Sequence, residues 1–167
     1  MKINAWLLLT SVLLAGCASA PAPEDQAVEA LESVAIQPGA GADRQSQQCV
    51  ALAMYWEARG EGASGMQAVG SVILNRVADP RFPSSPCDVV QQGGETPPCQ
   101  FSWWCDGKSD RPTSPAQWQQ TLTLADDLLT APHRDRTDGA LFFHSTAIDK
   151  PWQRQQTAQI GNHIFYR

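Results

Sequence analysis

No apolar stretch at the start of this chain is long enough to cross a bilayer. Ala5 to Leu14 falls well short of the ~20 residues a spanning helix needs. An excess of positive charge is also missing: 12 Lys and Arg stand against 17 Asp and Glu, a formal −5. That balance argues against nucleic acid as a partner, because phosphate binding needs a basic surface. It says little about an uncharged sugar polymer. The close cysteine pairs of a zinc ribbon are absent, and no histidine lies near Cys87, Cys99 or Cys105 in the sequence. His133, His144 and His163 are not paired at helical spacing, so no metal and no cofactor is expected. No internal repeat is visible.

What is present begins with a targeting segment, residues 1–16. One lysine, the short apolar run and Leu14-Ala15-Gly16-Cys17 read as a bacterial lipoprotein signal, with cleavage before Cys17 and lipid on its thiol. Removing Lys2 with that signal takes the formal charge from −5 to −6. By resemblance to lipoprotein sorting in diderm bacteria, Ala18 rather than Asp after the cysteine favours the periplasmic face of the outer membrane. Residues 17–45, rich in Ala, Pro, Gln, Gly and acids, bury too little surface to offset ordering entropy and read as a flexible, lipid-anchored tether. Residues 46–167 then form one domain, expected as a monomer. Cys49, Cys87, Cys99 and Cys105 are an even number in an exported chain and predict two disulfides, with three pairings open.

Apolar periodicity predicts helices over about 47–58 and 64–77, joined by the short link Gly60-Glu61-Gly62-Ala63. Gly70 inside the second helix costs about 1 kcal/mol against alanine, and close approach of another backbone would compensate. Pro80, Pro83 and Pro86 keep the following chain out of regular structure. Ser114-Pro115-Ala116-Gln117 reads as a capping box opening a third helix that stops before Pro132. Ala140 to His144 is strand-like, and Gly161-Asn162 between apolar runs marks a hairpin. The fold class is therefore α+β, a compact helical domain with a small antiparallel sheet.

The chemistry sits in Tyr55-Trp56-Glu57-Ala58-Arg59-Gly60-Glu61. Breaking a glycosidic bond requires a proton on the leaving oxygen, and a glutamic acid supplies it at neutral pH only if desolvation raises its pKa. Glu57, at a helix end after two aromatics, fits that acid. Glu61, between glycines, is expected to ionise and assist substrate binding, or to pair with Arg59. Sugar rings stack on indoles, so Trp103 and Trp104 in the loop Gln100-Phe101-Ser102-Trp103-Trp104 are candidate binding residues. At least one aromatic of that loop should plug the core instead. Ser102 is a candidate for an N-acetyl hydrogen bond and Trp152 for the groove wall.

The stretch from Cys49 to Arg76, with Gln67-Ala68-Val69-Gly70-Ser71-Val72-Ile73-Leu74-Asn75-Arg76, resembles the spore cortex-lytic cell-wall hydrolase family. The likeness continues through Cys99-Gln100-Phe101-Ser102, Cys105-Asp106-Gly107 and Gly161-Asn162-His163-Ile164-Phe165-Tyr166. The resemblance implies a compact relative of lysozyme-like lytic transglycosylases, with Glu57 as catalytic acid. It implies peptidoglycan glycan strands as substrate and cleavage of the MurNAc–GlcNAc bond to 1,6-anhydro products. Trp56 departs from the family's common phenylalanine, and Trp103-Trp104 makes the loop unusually aromatic. A lipoprotein signal suits a Gram-negative envelope better than a spore. The alternatives are a zinc-dependent N-acetylmuramoyl-L-alanine amidase, which would have to draw ligands from His133, His144 and His163, and a non-catalytic peptidoglycan-binding lipoprotein.

Overall fold

The computed structural model describes residues 43–132, 134–149 and 152–167. The targeting segment, Cys17 and nearly all of the expected tether lie outside these. Among the described residues no helix is long and apolar enough to cross a membrane.

Helix α1 spans Arg44–Ala58, three residues earlier than periodicity indicates, because Asp43 caps it by accepting from the Ser46 amide at 2.8 Å. A 3-10 turn over Arg59–Glu61 breaks the helix and Gly62, at φ +68°, opens α2 over Gly62–Ala78. A short helix not anticipated from the sequence, α3 (Pro86–Val90), follows. Proline does not exclude it: Pro86 occupies the first helical position, where its missing N–H costs nothing, and Ser85 accepts from the Asp88 amide. Helix α4 covers Pro115–Thr130. Its expected capping box does not form. Instead the buried Tyr55 hydroxyl accepts the amides of Thr113 and Ser114, each at 3.0 Å, and sets where α4 begins.

These helices enclose the main core, with Val50, Met54, Met66, Val69, Ile73, Val89, Phe101 and Leu128 buried together. Gly70 serves this packing, but its neighbours are side chains, Leu128 of α4 and Met54 of α1, rather than a backbone. Strands β1 (Phe142–Ser145), β2 (Gln156–Ile160) and β3 (His163–Tyr166) form an antiparallel sheet in the order β1-β3-β2. Phe143 faces Phe165 across β1 and β3, and Phe165, fully buried, joins Ala68 and Val72 of α2 in a second cluster. The sheet is tied to α2 by polar bonds as well. Asn75 Nδ2 donates to Asp135 (2.9 Å) and to the Ala140 carbonyl (3.1 Å), and Arg76 Nε donates to the Leu141 carbonyl at 2.8 Å.

Of the three pairings, the disulfides are Cys49–Cys87 and Cys99–Cys105. The first links α1 to α3 across 38 residues of chain; the second closes a loop of 6. Chain-entropy arguments give about 4 kcal/mol for the long loop and about 2 kcal/mol for the short one. Replacing Cys49 and Cys87 together by serine should therefore lower the urea midpoint more than replacing Cys99 and Cys105 together.

Glu61 and the β2–β3 turn form a second tie. Glu61 accepts from the Asn162 amide (2.7 Å) and side chain (2.9 Å), and a Cβ on Gly161, at φ +56°, would strike its carboxylate. Gly161→Ala should destabilise by about 1–2 kcal/mol from the left-handed backbone alone, plus a steric share. In a Glu61→Ala background, equilibrium unfolding should show the steric share gone and the backbone share intact.

Candidate active site

The 3-10 turn after α1 leaves Glu57 on the last turn of a helix whose other faces are fully committed. Consecutive helical residues point about 100° apart, so Tyr55 and Trp56 do not wall the carboxyl as their adjacency suggests. Tyr55 holds the start of α4, and Trp56 Nε1 donates to the Asp110 carbonyl at 3.1 Å. Arg59 lies over both of their rings, 4.8 Å from each centroid. Glu57 is thereby turned toward a cavity of about 190 Å³, which it lines with Arg76, Gln100, Phe101, Ser102, Phe142, Phe143 and Trp152.

Enclosure of the carboxyl at this cavity accounts for its electrostatics. Burial pushes the Glu57 carboxyl from an ordinary 4.5 up to about 6, against the opposing pull of the Trp103 indole N–H and the Arg76 charge. Arg76 is 1% exposed and stacks near the rings of Phe82, Phe101 and Phe142. Its burial lowers its own pKa to about 10, and Glu57 acts in the opposite sense. No ion pair within 4.0 Å joins the two groups among the described residues. The result is a carboxyl that holds its proton up to about pH 6, beside a cation that does not neutralise it outright.

The other sequence-derived candidates fall in different places. Ser102 is exposed and lines the cavity; so does Trp152, 37% exposed, which stacks its ring near His144 and Tyr166. Trp103 is buried at 8% and does not line the cavity, with its N–H close enough to favour the Glu57 carboxylate but short of a completed hydrogen bond. Trp104 packs edge-on against Trp103, half-buried, and does not line the cavity. The aromatic loop is thus mostly core, as expected for at least one of its rings. Glu61 does not line the cavity; both of its oxygens are taken by Asn162.

Arg76, Gln100, Phe142 and Phe143 line the cavity without having been singled out from the sequence. Arg76 carried a signal: it continues the buried stripe Val69, Val72, Ile73 at helical spacing, where a charge is anomalous. Phe142 and Phe143 carried none, since strand pairing far along the chain brings them in. Among the described residues no three His, Cys, Asp or Glu side chains converge as a metal site would require. His133, named for the amidase alternative, lies outside those residues.

The family described as Cell Wall Hydrolase matches residues 60–166, so the match opens just after Glu57. The chain is 32% identical over 138 residues to the spore cortex-lytic enzyme of Bacillus subtilis, covering 80% of this chain and 41% of that protein. It is 33% identical over 147 residues to the spore cortex-lytic enzyme of Halalkalibacterium halodurans, covering 86% and 41%. This chain spans about two fifths of the length of those relatives. Among solved structures, the catalytic domain of the germination-specific lytic transglycosylase SleB from Bacillus anthracis aligns with a TM-score of 0.59 at 30% identity. That alignment covers 76% of this chain and 98% of that one. The Bacillus cereus SleB catalytic domain gives the same score and identity, covering 76% and 93%. On the family match and these relatives together, the chain belongs to the cell wall hydrolase family and has the lysozyme-like fold of the SleB catalytic domains.

Proposed function

We propose that this domain is a lytic transglycosylase that cleaves the MurNAc–GlcNAc bond of peptidoglycan, with Glu57 as its single acid and base. The observation that carries this reading is the carboxyl held protonated to about pH 6 inside an aromatic-walled cavity. In the first step the Glu57 proton moves to the bridging oxygen as the C1–O bond breaks and C1 gains oxocarbenium character. In the second, the MurNAc C6 hydroxyl closes on C1 and its proton passes to the Glu57 carboxylate, restoring the acid. One carboxylate serves both steps, which agrees with Glu61 being engaged at the hairpin rather than in the cavity. Trp152, the most exposed of the wall aromatics, offers a face for a sugar ring, and Ser102 a hydrogen bond to an N-acetyl group. Membership of the cell wall hydrolase family and the likeness to the Bacillus anthracis lytic transglycosylase domain support the same chemistry.

The reading includes the setting. Leu14-Ala15-Gly16-Cys17 supports lipid attachment at Cys17 and a place at the periplasmic face of the outer membrane, and Ala18 agrees with that sorting. A Cys17→Ser chain should appear in the soluble periplasmic fraction; membrane retention of that variant would rule out the anchor.

Glu57→Gln tests the acid in two ways. Mass spectrometry of digested sacculi should show anhydro-muropeptides with the unaltered protein and none with the variant, while sacculus binding persists. Normal turnover by the variant would end the assignment, and products with free peptide stems would point to the amidase. The second readout is stability. The folded state holds the Glu57 proton more tightly than the unfolded chain, so its contribution is full below about pH 4.5 and is lost as pH rises through about 6. Urea unfolding should therefore find Glu57→Gln equal to the unaltered protein near pH 4. At pH 7.5 the variant should be more stable, by up to about 2 kcal/mol.

A further inference from the structure

Among the buried donors without an acceptor in the described residues are Nη1 of Arg59 and Arg76 and Nε1 of Trp103 and Trp104. Of these, Arg76 lines the same cavity as Glu57, and Arg76 and Trp103 are the two side chains that act on its carboxyl. Leaving a buried N–H unpaired costs about 1–3 kcal/mol, and more when it is charged. Arg76 and Trp103 both favour the ionised form of that carboxyl. Arg76 is held by its Nε bond to the Leu141 carbonyl and by the three phenylalanine rings, and Trp103 by the core and the loop that Cys99–Cys105 closes. Neither donor can easily turn to another acceptor.

We infer that Arg76 Nη1 and Trp103 Nε1 are a preorganised cradle for the Glu57 carboxylate, left open in the protonated acid and filled when the proton leaves. This rests on the catalytic assignment of Glu57 and names two positioning residues for that reaction. As the proton passes to the glycosidic oxygen, charge appears on the carboxylate and both N–H groups receive it. When the C6 hydroxyl returns a proton, the cradle opens again. Fixed donors aimed where charge will develop need no reorganisation at the moment of reaction. Among the described residues, the other ionisable groups of the region are oriented elsewhere. Arg59 is turned onto Tyr55 and Trp56, Glu61 onto Asn162, His144 onto Tyr166, and His163 packs against Phe143 and Phe165.

The test uses the intact protein without substrate first. Nuclear magnetic resonance should follow the Glu57 carboxyl carbon and the Trp103 indole N–H from pH 4 to 8. The indole signal, identified by its loss in Trp103→Phe, should move downfield with the same midpoint as the carboxyl. In Trp103→Phe that midpoint, and the alkaline limb of kcat/KM, should rise by about one pH unit. The variant's kcat should fall several-fold with KM little changed. Arg76→Lys, which keeps the charge and loses the planar fork, should lower kcat with a smaller movement of the limb. An indole signal flat across the Glu57 titration, or an unmoved midpoint in a folded Trp103→Phe, would overturn the cradle. Those resonance results stand apart from turnover. If Glu57→Gln keeps its activity, the catalytic assignment alone fails, while coincident midpoints still establish the contact.

Discussion

The packing at the end of α1 holds one carboxyl group largely away from water, and does so against that group's own preference. Glu57 gains nothing for folding at neutral pH, since ionisation in an aromatic-walled cavity is opposed by desolvation. Its position must therefore be enforced by its surroundings. The Tyr55 hydroxyl takes two amides at the start of α4, Trp56 holds the Asp110 carbonyl, and Cys49–Cys87 ties the same helix to α3. These constraints surround the turn that carries Glu57 and leave it no soft direction in which to escape.

Two opposing influences set the acid. Burial pushes the carboxyl up, whereas Arg76 and Trp103 pull it down, and burial wins by enough to hold the proton to about pH 6. Had Arg76 closed to a direct ion pair, the balance would reverse, since a cation within ~4–6 Å typically lowers a carboxyl by one to three units. Its Nε anchor on Leu141 and the rings about its guanidinium hold it in place without an ion pair to Glu57. The same Leu141 bond tethers the segment leading into β1, so the residue that moderates the acid also helps locate Phe142 and Phe143 in the cavity wall.

The helices were legible because their apolar residues repeat at helical spacing, and the hairpin because Gly161-Asn162 sits between two apolar runs. What the sequence obscured was local competition. Pro86 reads as a breaker yet begins α3, because a first-turn proline sacrifices no hydrogen bond. Ser114 reads as half of a capping box, but Tyr55, far away in the chain, reaches the helix start instead. Glu57 was legible as the candidate acid from its motif, while its true surroundings were not. Tyr55 and Trp56 are adjacent in sequence and point away, whereas Phe142, Phe143 and Trp152 arrive through long-range packing. Trp103 looked like a platform for ligand and proves to be core. Aromatic composition alone does not distinguish the two, because both uses reward a large flat ring.

The sheet order β1-β3-β2 has a consequence for how the cavity is assembled. β3 follows the other two strands in the chain yet lies between them, and among the described residues each of them pairs with it alone. Neither outer strand has a partner until β3 has been synthesised. The wall formed by Phe142 and Phe143 cannot settle before then, so a growing polypeptide carries Glu57 ahead of a finished pocket.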